Sequence, residues 1–175
     1  MYTNTGLLIA NQTKTDIFTV FKEHNALSEL MEEQKPFVVV CISDTHNNHR
    51  KIKLPPGDLL IHAGDFTKFG KDEHALDFNL WLSEVPFEHK VVVVGNHECS
   101  NLRPPTKFKE AITNATFLWQ QSHTIKHWKI FGTSFFWPFR EEDTNPYFDQ
   151  IPLDTNILVV HGPPKGILDN GLGNK

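Results

Sequence analysis

The sequence predicts an α/β fold built on an open, mainly parallel sheet, and three observations predict it. Short continuous apolar runs at 38–43, 59–63, 91–95 and 157–160 look like strands buried on both faces. Segments with helical spacing lie between them. Each run also ends on a residue able to hold a metal ion: Asp44, Asp65, Asn96 and His161. Open sheets bind ligands in the crevice beyond the carboxyl ends of their strands, so these four tips are expected to converge.

Taken in order, residues 16–33 place Ile17, Val20, Phe21, Leu27, Leu30 and Met31 at the spacing of an amphipathic helix, opened by Thr15 or Asp16 as cap. Residues 1–35 are read as a helical extension, either packed on the domain or offered to a partner, and 36–175 as the domain itself. A strand at 37–43 is followed by the polar loop 44–53 and the Pro55-Pro56-Gly57 turn, then by a strand at 58–63. Residues 72–85 put Ala75, Phe78, Trp81, Leu82 and Val85 on one helical face, ended by Pro86. Four consecutive valines make 90–95 a strand, because β-branched side chains favour the pleated conformation. Pro104-Pro105 open a short helix that runs to Thr113, as proline is tolerated in a first turn. The segments 116–119, 124–127 and 129–133 read as consecutive short strands, expected to pair as an antiparallel second sheet. Residues 135–152 form a long loop of aromatics, prolines and carboxylates, with Arg140 in it, that either shapes selectivity or anchors itself by its rings. Residues 156–160 are the last strand, followed by His161-Gly162-Pro163-Pro164 and a Gly- and Asn-rich end.

At 175 residues the chain suits one domain, long enough to bury about 70% of its unfolded surface. A net charge of −4 gives none of the broad basic face that a nucleic-acid backbone demands. Cys41 lies inside an apolar run and Cys99 in a loop, so a disulfide framework is not expected and the location is read as cytoplasmic. Only residues 7–10 are apolar near the start, too short for a signal peptide or membrane span. Of ten histidines, His24, His74 and His89 are expected on solvated surfaces and His123 and His127 flank a strand. Only His46, His97 and His161 stand where strand ends should meet.

Asp44 and His46 are one residue apart, so in an extended segment their side chains leave on the same side and can hold one ion. Asp65 follows Gly64, and a carboxylate has two oxygens with which to bridge two cations. In Gly95-Asn96-His97-Glu98 the glycine allows a sharp turn, the amide oxygen is a neutral ligand for a hard divalent ion, and the neighbouring imidazole is free to meet a substrate. His161 adds a nitrogen from a distant part of the chain, held by the following prolines. Singly, each has an ordinary reading as a cap, a turn residue or a strand-end histidine. Together, in this order, they read as a two-metal site.

These residues resemble the calcineurin-like metallophosphoesterases, through Asp44-x-His46, Gly64-Asp65, Gly95-Asn96-His97-Glu98 and His161, over about residues 37–170. The strings Ile42-Ser43-Asp44-Thr45-His46, Gly64-Asp65-Phe66-Thr67, Phe78-Asn79-Leu80-Trp81-Leu82 and His161-Gly162-Pro163-Pro164 look like the metallophosphoesterase-domain-containing branch, associated with phosphodiester and cyclic-nucleotide hydrolysis. The resemblance implies a layered αββα sandwich. It implies two divalent ions of the manganese, iron or zinc type, with Asp44 and His46 on the first, Asp65 bridging, and Asn96 and His161 on the second. His97 would face the phosphate. The implied reaction is direct displacement at phosphorus by a hydroxide held between the ions, with His97 steadying charge or protonating the leaving oxygen and Glu98 orienting His97 or its loop.

Family members carry a further Gly-His-x-His motif downstream, and no histidine follows His161 here. The expectation is a phosphoesterase truncated at its C-terminus, with the last part of its second sheet missing. The substrate is expected to be a small phosphoester, with no extended nucleic-acid surface, no membrane contact and no stated oligomeric state. The alternative is a catalytically impaired, phosphoesterase-like binding protein. Within enzymes, a nuclease is disfavoured by the acidic balance and the lack of a basic-aromatic stripe.

Overall fold

Alternation along each strand sorts its side chains onto two faces, and in the first of two sheets both faces are covered. The computed structural model describes residues 19–21, 36–99, 104–133 and 148–163. One sheet has the order β1 (Thr19–Phe21), β2 (Val39–Ile42), β3 (Leu59–His62), β4 (His89–Val92) and β5 (Thr116–Phe117). β2 to β5 are mutually parallel, while β1 pairs antiparallel with β2. The second sheet has the order β6 (Gln121–Ile125), β7 (Trp128–Thr133) and β8 (Ile157–Val160), with β6 antiparallel and β8 parallel to β7. Helix α1 (Asp72–Glu84) connects β3 to β4, and α2 (Thr106–Ala111) lies between β4 and β5.

Val40, Ile42, Leu60 and Val92 point to the helices, where they pack with Phe66, Ala75, Phe78, Trp81, Leu82 and Phe108. Their neighbours Val39, Leu59, Ile61, Val91 and Val93 point the other way and meet Ile125, Ile130 and Val159 of the second sheet. The described residues therefore form three layers, helices on sheet on sheet, with the mixed α/β architecture expected of the sandwich. No helix among them covers the outer face of the second sheet. A 3-10 turn at His49–Lys51 is strapped to α1: buried His49 bonds Asp77 through Nε2 at 3.0 Å, and Arg50 reaches Asp77 at 2.9 Å and Glu84 at 2.6 Å.

Several sequence expectations need correction. Within the range read as a helix at 16–33, residues 19–21 form a strand on the open edge of β2; that edge offers backbone partners that helical spacing cannot reveal, and the rest of the range lies outside the described residues. The segment at 116–119 was expected in the second sheet, but β5 extends the first by pairing parallel with β4. Residues 126 and 127 form the two-residue turn between β6 and β7, with Lys126 at φ 55°, and no glycine signals it. The last strand is not beside the other three tip-bearing strands but in the second sheet, next to β7. Most of the aromatic loop, including Arg140, lies outside the described residues, as does Pro164.

Neither cysteine is in a disulfide, and burial pushes the Cys41 thiol up to about 11. No helix among the described residues is long and apolar enough to cross a membrane.

Candidate metal centre

Beyond the ends of β2 and β3 the backbone turns left-handed. Asp44, His46, Asn47 and Asp65 have φ of 55°, 42°, 66° and 56°, a region costly for non-glycine residues and concentrated here at two adjacent strand tips. The strain is held by a continuation of the ladder. The N–H groups of Asp44, His46 and Asn47 donate to the carbonyls of Gly64, Asp65 and Phe66, each at 3.0 Å. Asp44 and His46 thus approach one another through tight turns, and not through the alternation of an extended strand.

Two glycines let the tips close on one another. A Cβ on Gly95 would stand 2.2 Å from Asp65 Oδ1 and 2.8 Å from His161 Cε1; one on Gly64 would stand 2.7 Å from Gly95 N and 2.8 Å from His161 Nδ1. Gly95 is required by close approach, since its φ is not in the left-handed range, whereas Gly64 at φ 100° is required by both space and conformation. The four tips do converge, but across the sandwich: His161 leaves the second sheet and donates from Nδ1 to the Ala63 carbonyl of the first at 2.8 Å.

The three histidines share one arrangement. Nδ1 of His161, His46 and His97 meets the backbone carbonyls of Ala63, Thr67 and Lys68 respectively, acceptors that place the ring hydrogen on Nδ1. In the neutral ring each Nε2 then carries a lone pair, and all three face Asp65. His46 and His97 lie 3.8 Å and 3.7 Å from its Oδ2, and His161 lies 3.5 Å from its Oδ1. Asn96 Oδ1 is 3.1 Å from His161 Nε2, and Asp44 Oδ1 is 3.8 Å from His46 Nε2. Lone-pair atoms brought this close repel one another unless a proton or a metal ion sits among them. Histidine nitrogens oriented by carbonyl bonds, with carboxylate and amide oxygens, fit a divalent metal.

Two groups have ligand atoms lying within 4.8 Å of one another: His46, Asp65 and His97, and Asp44, Asp65 and His161, with Asp65 in both. All six residues singled out from the sequence are therefore brought together. His97, expected to face a substrate, also stacks edge-on to His46 with ring centroids 4.5 Å apart. Burial alone would raise the Asp65 carboxyl, but the bond and charge of His161 and the His97 N–H hold it below the usual carboxylate range. Burial alone would lower His161, and Asp65 outweighs it and raises the imidazole.

Sequence reasoning missed the layer beneath. His62, fully buried at the end of β3, accepts the Gly64 N–H at Nδ1, 3.3 Å, so its Nε2–H donates to Thr45 Oγ1 at 3.0 Å. A histidine interrupting an otherwise apolar strand was the available signal. Glu98 was expected to orient His97 or its loop. Its buried carboxylate accepts the Gly95 N–H of that loop (3.0 Å) and also reaches the N–H groups of Asp65 (2.8 Å) and Thr67 (2.7 Å) and the Thr67 hydroxyl (2.6 Å).

The sequence profile of calcineurin-like phosphoesterases matches residues 37–173. The chain is 35% identical over 172 residues to a UPF0046 protein of Caenorhabditis elegans, a match covering 84% of this chain and 59% of that one. It is 34% identical over 161 residues to the human metallophosphoesterase domain-containing protein 1, covering 74% of this chain and 49% of the relative. The chain thus spans about half the length of the curated relatives it matches.

Proposed function

The chain belongs to the calcineurin-like phosphoesterase family, and from that premise we propose that it is a metal-dependent hydrolase of small phosphoesters, phosphodiesters such as cyclic nucleotides among them. The observation that carries this reading is the crowding of three imidazole Nε2 atoms around the two oxygens of Asp65, with the Asn96 oxygen against the Nε2 of His161. Asp44 and His46 would hold one ion, Asn96 and His161 the other, and Asp65 would serve both. With divalent ions bound, the site would gain the positive charge that draws a phosphoester and lowers the pKa of an attacking water.

The rest falls to the chain's own side chains. His97 keeps Nδ1–H on the Lys68 carbonyl, which leaves Nε2 to carry the exchangeable proton. In the protonated ring, Nε2–H donates to a phosphoryl oxygen or passes its proton to the leaving oxygen as the P–O bond breaks. Lys68 and Phe69 are exposed on the loop that supplies that carbonyl, with the ammonium 5.4 Å from the ring centroid, and would meet the organic part of a substrate. Residues 36–175 serve as the phosphoesterase domain.

The test is hydrolysis of bis-p-nitrophenyl phosphate, p-nitrophenyl phosphate and cyclic AMP after removal of metal and repletion with Mn²⁺ or Zn²⁺, alongside metal content. The expected result is metal-dependent turnover lost on chelation, and lowered at least about a hundredfold by Asp65→Ala and by His97→Ala. Hydrolysis that survives chelation, or that both variants retain, would overturn the proposal.

A further inference from the structure

Glu98 is the one carboxylate among the described residues that grips two strand-tip turns at once. Oε2 accepts the Asp65 N–H at 2.8 Å and the Gly95 N–H at 3.0 Å, joining the tip of β3 to the tip of β4. Oε1 accepts both the N–H and the hydroxyl of Thr67, at 2.7 Å and 2.6 Å, and that hydroxyl accepts in turn from the Gly70 N–H at 3.0 Å. Each residue gripped stands next to a ligand or is one. Asp65 is the shared carboxylate, Gly95 precedes Asn96, and the Thr67 carbonyl holds Nδ1 of His46 at 3.2 Å. Glu98 itself lies too deep to meet a substrate, so its effect must pass through these neighbours.

We propose that Glu98, braced by Thr67, is a positioning residue that sets the spacing of both halves of the metal centre together, so that losing it weakens both ions and not one. This rests on the dinuclear reading above. The physical reason is that an ionised carboxylate accepts at both oxygens, and four charge-assisted bonds hold the two turns at the separation that the lone-pair cluster needs. In Glu98→Gln the amide group turns a donor toward backbone N–H groups that can only donate, so one side of the grip opens while size is unchanged. A side chain that merely fills space would leave metal affinity unmoved by that exchange.

The experiment is calorimetric titration of the metal-free chain with Mn²⁺ alone, at a temperature where circular dichroism shows each variant folded. Wild type is expected to bind two ions, and Glu98→Gln to bind both about ten- to a hundredfold more weakly. His161→Ala is expected to weaken one ion preferentially. Saturating Mn²⁺ should restore most of the Glu98→Gln turnover of bis-p-nitrophenyl phosphate, as it would for a defect of position. Thr67→Val should repeat the loss in milder form while Thr67→Ser, which keeps the hydroxyl, binds as wild type, and this pair decides the matter if Glu98→Gln does not fold. Wild-type affinity in Glu98→Gln or Thr67→Val, or weakening confined to one ion, overturns the clamp. Failure of the wild type to bind Mn²⁺ would instead overturn the metal-dependent reading on which it rests.

Discussion

His62 shows how much of the site rests on a residue that never touches it. It is fully buried against Phe66 and Phe78, with ring centroids 6.0 Å and 5.0 Å away, and its two nitrogens tie Thr45, between Asp44 and His46, to Gly64, next to Asp65. Burial pushes its pKa down to about 3, helped by the charges of His49 and His161. The folded chain therefore keeps His62 neutral where the unfolded chain protonates it. The stability this confers is fully present above the unfolded value of about 6.5 and is lost as pH falls from there toward about 3, by at most about 1.4 kcal/mol per pH unit. Chemical denaturation of wild type and His62→Gln between pH 8 and pH 4 should show the stability gap between them narrowing as the solution is acidified. Curves that stay parallel would exclude this role.

Among the elements, the strand tips carry the chemistry and their glycines set its scale. Gly95 is the tightest point, since any side chain there would overlap the Asp65 carboxylate that both ligand groups share. Gly95→Ala should cost about 1–3 kcal/mol of stability from overpacking and, because β4 can relieve the clash only by moving from β3, should weaken Mn²⁺ binding at least tenfold. Denaturation and metal titration of the same sample check both; an alanine variant that binds Mn²⁺ as wild type would show that the tips have slack. The motif around Gly95 was legible in the sequence because it is local. The reason for its glycine was not, because the crowding atoms come from residues 65 and 161.

For the whole molecule, the deciding contact is between sheets. Asp44, Asp65 and Asn96 come from one sheet, while His161 arrives from the other. Their meeting depends on how closely the sheets approach, and Gly132 on β7 sets that distance: a Cβ there would lie 2.3 Å from Leu118 Cβ and 2.9 Å from Val93 Cγ1. Gly132→Ala should therefore lower stability by about 1–3 kcal/mol and, by carrying β8 outward, weaken the ion proposed for Asn96 and His161 more than the other. Calorimetric titration with Mn²⁺ distinguishes this from uniform loss at both sites. By itself the sequence determined the apolar runs that become β2, β3, β4 and β8, helix α1, and six residues that end up side by side, because continuous apolar runs and helical spacing are written in neighbouring residues. Only the tertiary structure decided that β5 joins the first sheet and β8 the second, that Asp44 and His46 meet through left-handed turns, that three Nδ1 atoms rest on carbonyls, and that Glu98 and His62 brace the tips from below. Those features depend on atoms far apart in the chain, whose proximity is set by sheet packing and by the need of buried polar groups for partners.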